Sequence, residues 1–321
     1  MVSSNVLFQI EEKLVQSKGV LVLAHDYPDG DAVGSVVAMC NYLSSIGKVF
    51  FVYYNNLEEE QWAEFSLINK DKRVTLEQIA DINADVVCVL DSSNVDRLGP
   101  VKETLSGFKT VINIDHHGDN SLFGDINLVE QSAATGEVLY NIFEELGWSV
   151  DSDTAVALLI AIISDSGRFQ YINTHPRLFK IVMNLVEICG MEAYFQVVQN
   201  LYEQVSLQKL QLFSEIIRNV EFYNKVVAFS FIEEDAGLTE GLIEQIRAIK
   251  GVKVAVLARK VGDLIKMSFR SKDKDCSVRE LASKFGGGGH PGAAGASMPL
   301  VDYEKQIVEI QNIIKEYAES L

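Results

Sequence analysis

Short β-branched runs alternate with helix-spaced apolar positions over the first half of the chain. The runs fall at 20–24, 49–54, 86–90 and 110–114, and each ends in polar residues. The spacing between and after them predicts helices over 31–46, 132–147 and 151–164. At the N-terminus, Val6, Leu7, Ile10 and Leu14 share one face of an amphipathic helix. Apolar runs without a polar alternate position belong to a parallel sheet covered on both faces. In such sheets the chemistry collects beyond the carboxyl ends of the strands. That rule singles out His25 to Asp31, Asp91, and Asp115 to His117.

Residues 175–218 read as helical, and the texture then changes. Strands are predicted over 226–232, 252–259 and 264–270, with helices near 238–249, 277–285 and 301–319. Six of the chain's 22 glycines fall between 286 and 295. This pattern predicts a two-domain α/β protein, with an N-terminal parallel-sheet domain over 1–195, a helical connector over 196–215 and a smaller α/β domain over 216–321.

The length of 321 residues suits two domains, and 48% apolar with 23% charged residues is a globular composition. The net charge of −17 excludes extended duplex binding, which draws its affinity from cationic neutralisation of phosphates. The longest apolar run, Ala155 to Ile163, has nine residues, half of what a bilayer-spanning helix needs. The first residues lack the basic start and apolar core of a signal peptide, so a cytoplasmic protein without membrane attachment is expected. Cys40, Cys88, Cys189 and Cys276 form no C-x-x-C pair and are expected to be buried reduced thiols.

Four clusters carry chemistry. In HDYPDGDA (25–32), Asp29 and Asp31 can face different ions from one turn, or Asp31 can cap the helix beginning at Ala32. Asp91 follows one buried run, and Asp115-His116-His117 follows another. Asp165 stands at the end of the most apolar helix, where a carboxylate opposes the macrodipole unless something positive lies near. Asp29, Asp31, Asp91 and Asp165 sum to −4, which two divalent cations balance, with His25 and His116 as neutral ligands. Without cations, converging carboxylates repel one another and their pKa values rise. Carboxylate and imidazole ligands without thiolate suit Mn²⁺, with Mg²⁺, Co²⁺ or Fe²⁺ as competitors. Paired ions of this kind serve phosphoryl displacement, hence phosphate ester hydrolysis.

The strings HDYPDGDA, DSSNVDRLG, DHH and SDSGRF, with GGGGHPGAAGA near the C-terminus, resemble the motifs of the DHH/DHHA1 phosphoesterases, and within them the oligoribonuclease (nanoRNase) and pAp phosphatase branch. The resemblance implies a catalytic DHH domain followed by a DHHA1 substrate-binding domain. It further implies that His25, Asp29 and Asp91 hold one Mn²⁺ and that Asp31, Asp91, His116 and Asp165 hold a second, with Asp91 bridging. His117 would contact the scissile phosphate, and Asp115 would orient the histidine pair. Arg270, Gly287, Gly288, Gly289 and His290 are implied to bind a terminal phosphate or base of the substrate, with a helix after the glycines adding its positive end. The implied substrates are short oligoribonucleotides, cut to mononucleotides, and the 3′-phosphate of pAp, with a homodimer possible. Cyclic di-AMP or linear dinucleotide hydrolysis uses the same parts. A manganese pyrophosphatase lacks the glycine-rich segment, and an inactive nucleotide sensor would lack a ligand.

The remaining features have plainer readings. Arg168 either touches substrate phosphate or pairs with a carboxylate. Glu58-Glu59-Glu60 reads as a solvated helix start, and His175 is given no role. The glycines near Asp31 lack the lysine of a P-loop, which excludes that NTPase site.

Overall fold

Five strands, β1 (Val20–Leu23), β2 (Phe50–Tyr53), β3 (Val86–Leu90), β4 (Thr110–Asp115) and β5 (Ile126–Val129), form an all-parallel sheet in the order β2-β1-β3-β4-β5. The computed structural model describes residues 4–57, 70–203, 205–233 and 241–321. The chain divides into two units, Met1–Gln204 and Val205–Leu321.

The continuous apolar runs are explained by burial on both faces. Val20, Val22, Val86, Cys88 and Leu90 enter one core, while Leu21, Leu23, Val87 and Val89 enter a second core on the opposite face. The first core is closed by helices α1 (Ser4–Gln16), α2 (Gly30–Ser45), α3 (Thr135–Leu146), α4 (Ser152–Asp165), α5 (Pro176–Cys189) and α6 (Met191–Tyr202). The second is closed partly by a kinked 3₁₀ segment, Val95–Gly107, through Leu98, Val101 and Leu105. Strand β5 was not predicted, because four residues with only Leu128 buried leave little periodic signal.

Three helices meet at one methyl group. A Cβ added at Gly34 of α2 would lie 2.4 Å from the Ala157 carbonyl oxygen and 2.8 Å from the Ala161 nitrogen of α4. One added at Gly136 of α3 would lie 2.4 Å from the Ala161 Cβ. Backbone therefore packs on backbone here, which only glycine permits.

The second unit holds a six-stranded mixed sheet in the order β10-β11-β9-β8-β7-β6. Its strands are β6 (Glu221–Tyr223), β7 (Val227–Ile232), β8 (Val254–Val261), β9 (Leu264–Ser271), β10 (Gly288–His290) and β11 (Ala293–Pro299). Helices α7 (Leu207–Arg218), α8 (Leu242–Ala248), α9 (Val278–Ser283) and α10 (Tyr303–Glu319) accompany it. Within the stretch read as a connector, Val197 and Leu201 of α6 pack into the first unit's core. Leu212, Phe213 and Ile216 of α7 pack into a core of the second.

The glycine-rich segment corrects one expectation: no helix follows it directly. Gly288–His290 pairs antiparallel with Ala293–Gly295, so the segment is a hairpin at the sheet edge. The physical reason is close approach, since a Cβ at Gly287 would lie 2.2 Å from the Gly295 carbonyl oxygen. Cys40, Cys88 and Cys276 are buried, whereas Cys189 is only partly so. No single helix among the described residues is long and apolar enough to cross a membrane. The Glu58 to Glu60 run, and residues 238–240 of the helix expected over 238–249, lie outside the described residues.

Candidate metal centre

The carboxyl edge of the parallel sheet brings together all six residues expected to be ligands. Asp91, just past β3, has φ +55, a left-handed turn that Asp tolerates better than most residues. Its two oxygens face opposite ways: Oδ2 lies 3.5 Å from His25 Nε2, and Oδ1 lies 3.5 Å from His116 Nε2. His25 Nε2 is also 3.8 Å from Asp29 Oδ1. His116 Nε2 is also 3.7 Å from Asp31 Oδ2 and 3.3 Å from Asp165 Oδ2. Three overlapping donor groups result, His25 with Asp29 and Asp91, Asp31 with His116 and Asp165, and Asp91 with His116 and His117; within each the candidate ligand atoms lie within 4.8 Å of one another.

The two imidazoles are oriented from behind. His25 Nδ1 lies 2.8 Å from the Asp26 carbonyl oxygen, and His116 Nδ1 lies 3.1 Å from that of Ser132. A carbonyl only accepts, so Nδ1 carries a proton and Nε2 is the ring atom that would ligate a cation placed among the carboxylates. His25 Nε2 is buried without a hydrogen-bond partner.

Capping corrects another expectation. Asp29, rather than Asp31, caps α2, accepting from the backbone N–H groups of Asp31 and Ala32. Asp31 instead serves α3, whose cap residue Ala134 has no suitable side chain. The Thr135 and Gly136 N–H groups donate to its two oxygens at 2.6 and 2.9 Å, and Ser35 Oγ adds a bond at 3.2 Å. Thr135 Oγ1 donates to Asp91 Oδ1 at 3.0 Å. These donors went unpredicted; a helix start at Ala134 without a capping side chain was the available signal.

The charge balance is that of a cation site. Burial, then the charges of Asp91, Asp165 and Asp29, push the pKa of Asp31 well above the usual carboxylate range. Burial foremost pushes Asp165 up to about 6. Burial alone would lower His25, but the nearby carboxylates of Asp29 and Asp91 outweigh this and raise it to about 10. Burial would raise Asp29, but the neighbouring His25 outweighs it and lowers Asp29 to about 2. Crowded carboxylates, oriented lone pairs and an orphaned buried nitrogen fit a pair of divalent cations.

His117 borders the candidate ligands, with its Nδ1 3.6 Å from Asp91 Oδ1. Its Nδ1 donates to Asp115 Oδ1 at 2.7 Å, and its Nε2 lies 3.3 Å from Arg97 Nη1. Burial would lower its pKa, but Asp115 outweighs burial and raises it, with Arg97 opposing the rise. Asp115 is fully buried and held by Asn120 Nδ2 at 2.6 Å, which also reaches Asn113 Oδ1 at 2.8 Å. Arg97 and this asparagine pair were not predicted, although a buried Asn inside the run 110–114 is itself a polar anomaly.

Other expected residues sit elsewhere. The Arg168 guanidinium stacks over the Tyr202 ring, 4.0 Å from its centroid. His175 Nε2 lies 3.2 Å from Glu137 Oε2, a buried carboxylate that also accepts from the Ala133 N–H. In the second unit, Arg270 ends β9 with Nε 3.0 Å from Glu244 Oε1. The register sets Arg270 opposite Ala293, with His290 one strand further on.

The fold and this edge define a phosphoesterase class. Residues 19–162 match the DHH family N-terminal domain and residues 224–320 the DHHA1 domain, and the chain belongs to the DHH/DHHA1 family of phosphate ester hydrolases. It is 28% identical over 316 residues to the "Bifunctional oligoribonuclease and PAP phosphatase NrnA" of Thermus thermophilus, covering 96% of this chain and 93% of that protein. It is 26% identical to the protein of the same name from Bacillus subtilis, covering 93% and 95%. An exopolyphosphatase-related protein from Bacteroides fragilis shares the fold, with a TM-score of 0.88 at 20% identity over 99% and 96% of the chains.

Proposed function

We propose that this chain is a two-metal phosphoesterase, using Mn²⁺ by preference, that cuts short oligoribonucleotides to mononucleotides and removes the 3′-phosphate of pAp. The observation that carries the reading is Asp91, whose two oxygens face His25 on one side and His116 on the other. The relatives named for oligoribonuclease and PAP phosphatase activity, similar over nearly the whole chain, supply the substrate class. His25, Asp29 and Asp91 would hold one cation, and Asp31, Asp91, His116 and Asp165 the other.

When bound, such cations supply Lewis acidity and a nucleophile at neutral pH. The protein's own part is orientation and charge. Asp26 and Ser132 carbonyls fix the imidazole tautomers, and Thr135 and Gly136 fix Asp31. His117, steadied by Asp115, presents Nε2 to a non-bridging phosphate oxygen, and the Arg97 guanidinium beside it balances negative charge that develops in the transition state. Arg270, the hairpin Gly287 to His290 and Arg168 are assigned to substrate phosphates or base, with Glu244 keeping Arg270 extended until a phosphate competes for it.

Product chromatography tests the reading. Mn²⁺-loaded protein is incubated separately with a labelled RNA dinucleotide, a long ribo-oligonucleotide, pAp, cyclic di-AMP and pyrophosphate. Rapid release of mononucleotides from the dinucleotide and of phosphate from pAp is expected. Turnover confined to pyrophosphate or to cyclic di-AMP would overturn the substrate class.

A further inference from the structure

Asp26 and Tyr27 lie between His25 and Asp29, and the chemistry above leaves the Tyr27 side chain unused. Tyr27 has φ +52 and is 66% exposed. A left-handed backbone is disfavoured for an aromatic residue and persists only where its surroundings over-determine it. They do so here from three directions. Asp26 Oδ1 accepts from the Tyr27 N–H at 2.9 Å, from Asn55 Nδ2 at 2.9 Å and from Asn56 Nδ2 at 2.7 Å. The Asp26 N–H donates to the Arg97 carbonyl at 2.7 Å. Gly99 leaves room for the arrangement, since a Cβ there would lie 2.7 Å from Asn55 Nδ2 and 3.3 Å from Asp26 Oδ2. What this cradle holds is a ring turned to solvent, which contributes little burial to offset the strain. Strain that stability does not explain points to binding.

We propose that Tyr27 is an aromatic platform on which a nucleobase flanking the bound phosphate stacks. The inference rests on the nucleotide-hydrolase reading above and adds a base subsite to it. A π-face recognises every base, so the subsite discriminates nucleotides from non-aromatic phosphate esters rather than one base from another.

Tyr27→Gly separates recognition from folding. Glycine adopts φ +52 without cost, so thermal stability should hold or rise. The loss of a stack should raise KM for a ribodinucleotide by about 5- to 150-fold, with kcat little changed, and Tyr27→Phe should restore it. On a dinucleotide lacking both bases, wild type and Tyr27→Gly should show the same KM. Wild-type KM for Tyr27→Gly on the ordinary dinucleotide, or an equal loss on the abasic one, overturns the platform alone. Failure of the wild-type protein to cleave any dinucleotide overturns the nucleotide reading and the platform together.

Discussion

Arg97 and His117 meet side chain to side chain, with Nη1 3.3 Å from Nε2, while Asp115 grips the opposite ring nitrogen at 2.7 Å. The imidazole is thus held at both nitrogens, and a bound phosphate would enter where the arginine now touches it. Arg97→Ala and His117→Ala should each lower kcat, and the double variant should lose less than the product of the two. Full additivity in that cycle would separate the two residues functionally.

Asp91 faces both imidazoles and has no equivalent. Asp91→Ala should reduce activity by about a hundred-fold or more, since removing one well-placed charge stabiliser costs about that much. Circular dichroism should remain native. A folded variant that binds two Mn²⁺ and turns over normally would sink the bridging assignment.

Thr135→Val keeps shape and the backbone bond to Asp31 but deletes the hydroxyl that reaches Asp91 at 3.0 Å. Partners that orient a metal ligand are worth about 10- to 100-fold in metal affinity. Mn²⁺ titration monitored calorimetrically should show a weakening in that range.

On the function proposed above, Arg270 serves recognition rather than chemistry. Arg270→Ala should weaken pAp and dinucleotides by about ten- to a hundred-fold, the worth of a charged hydrogen bond, and spare bis-p-nitrophenyl phosphate. Equal losses on both kinds of substrate would end that division of labour.

Asp85 offers a stability test remote from the metal edge. Burial raises its pKa, but the Lys18 N–H at 2.8 Å and Lys109 Nζ at 3.3 Å outweigh burial and lower it. A depressed carboxylate contributes stability that is present above its unfolded pKa of about 3.9 and is lost as pH falls through the folded value. Asp85→Asn should therefore lower Tm at neutral pH, and the difference from wild type should vanish in acid. A constant difference across that window would contradict the assignment.

The residues that gather at the strand edge were legible because the strand-edge rule and the charge count depend on residue type and position alone. The central strands were legible because burial on both faces leaves no polar alternation to confuse them. The orienting groups were not, since Thr135, Gly136 and Arg97 act through contacts made by distant segments; 104 residues separate Asp31 from the N–H of Thr135 that it accepts. The edge hairpin at Gly288–His290 was not legible for a related reason. Its glycines look like freedom in one dimension, and only the returning strand, Gly295 and Ala296 against Gly287 and Ala293 and Ala294 against Gly289, turns them into close packing.

The junction at Ala161 determines more than packing. Asp31 lies about one turn from Gly34 on one helix, and Asp165 about one turn from Ala161 on another, with backbone wedged against backbone between them. The backbones that carry them are accordingly held at a fixed spacing. On the function proposed above, a fixed spacing of this kind would favour hard cations of one ionic radius over another. A methyl group at position 34 would pry the jaws apart, so cells that differ in their supply of small and large divalent ions would place opposite demands on one glycine.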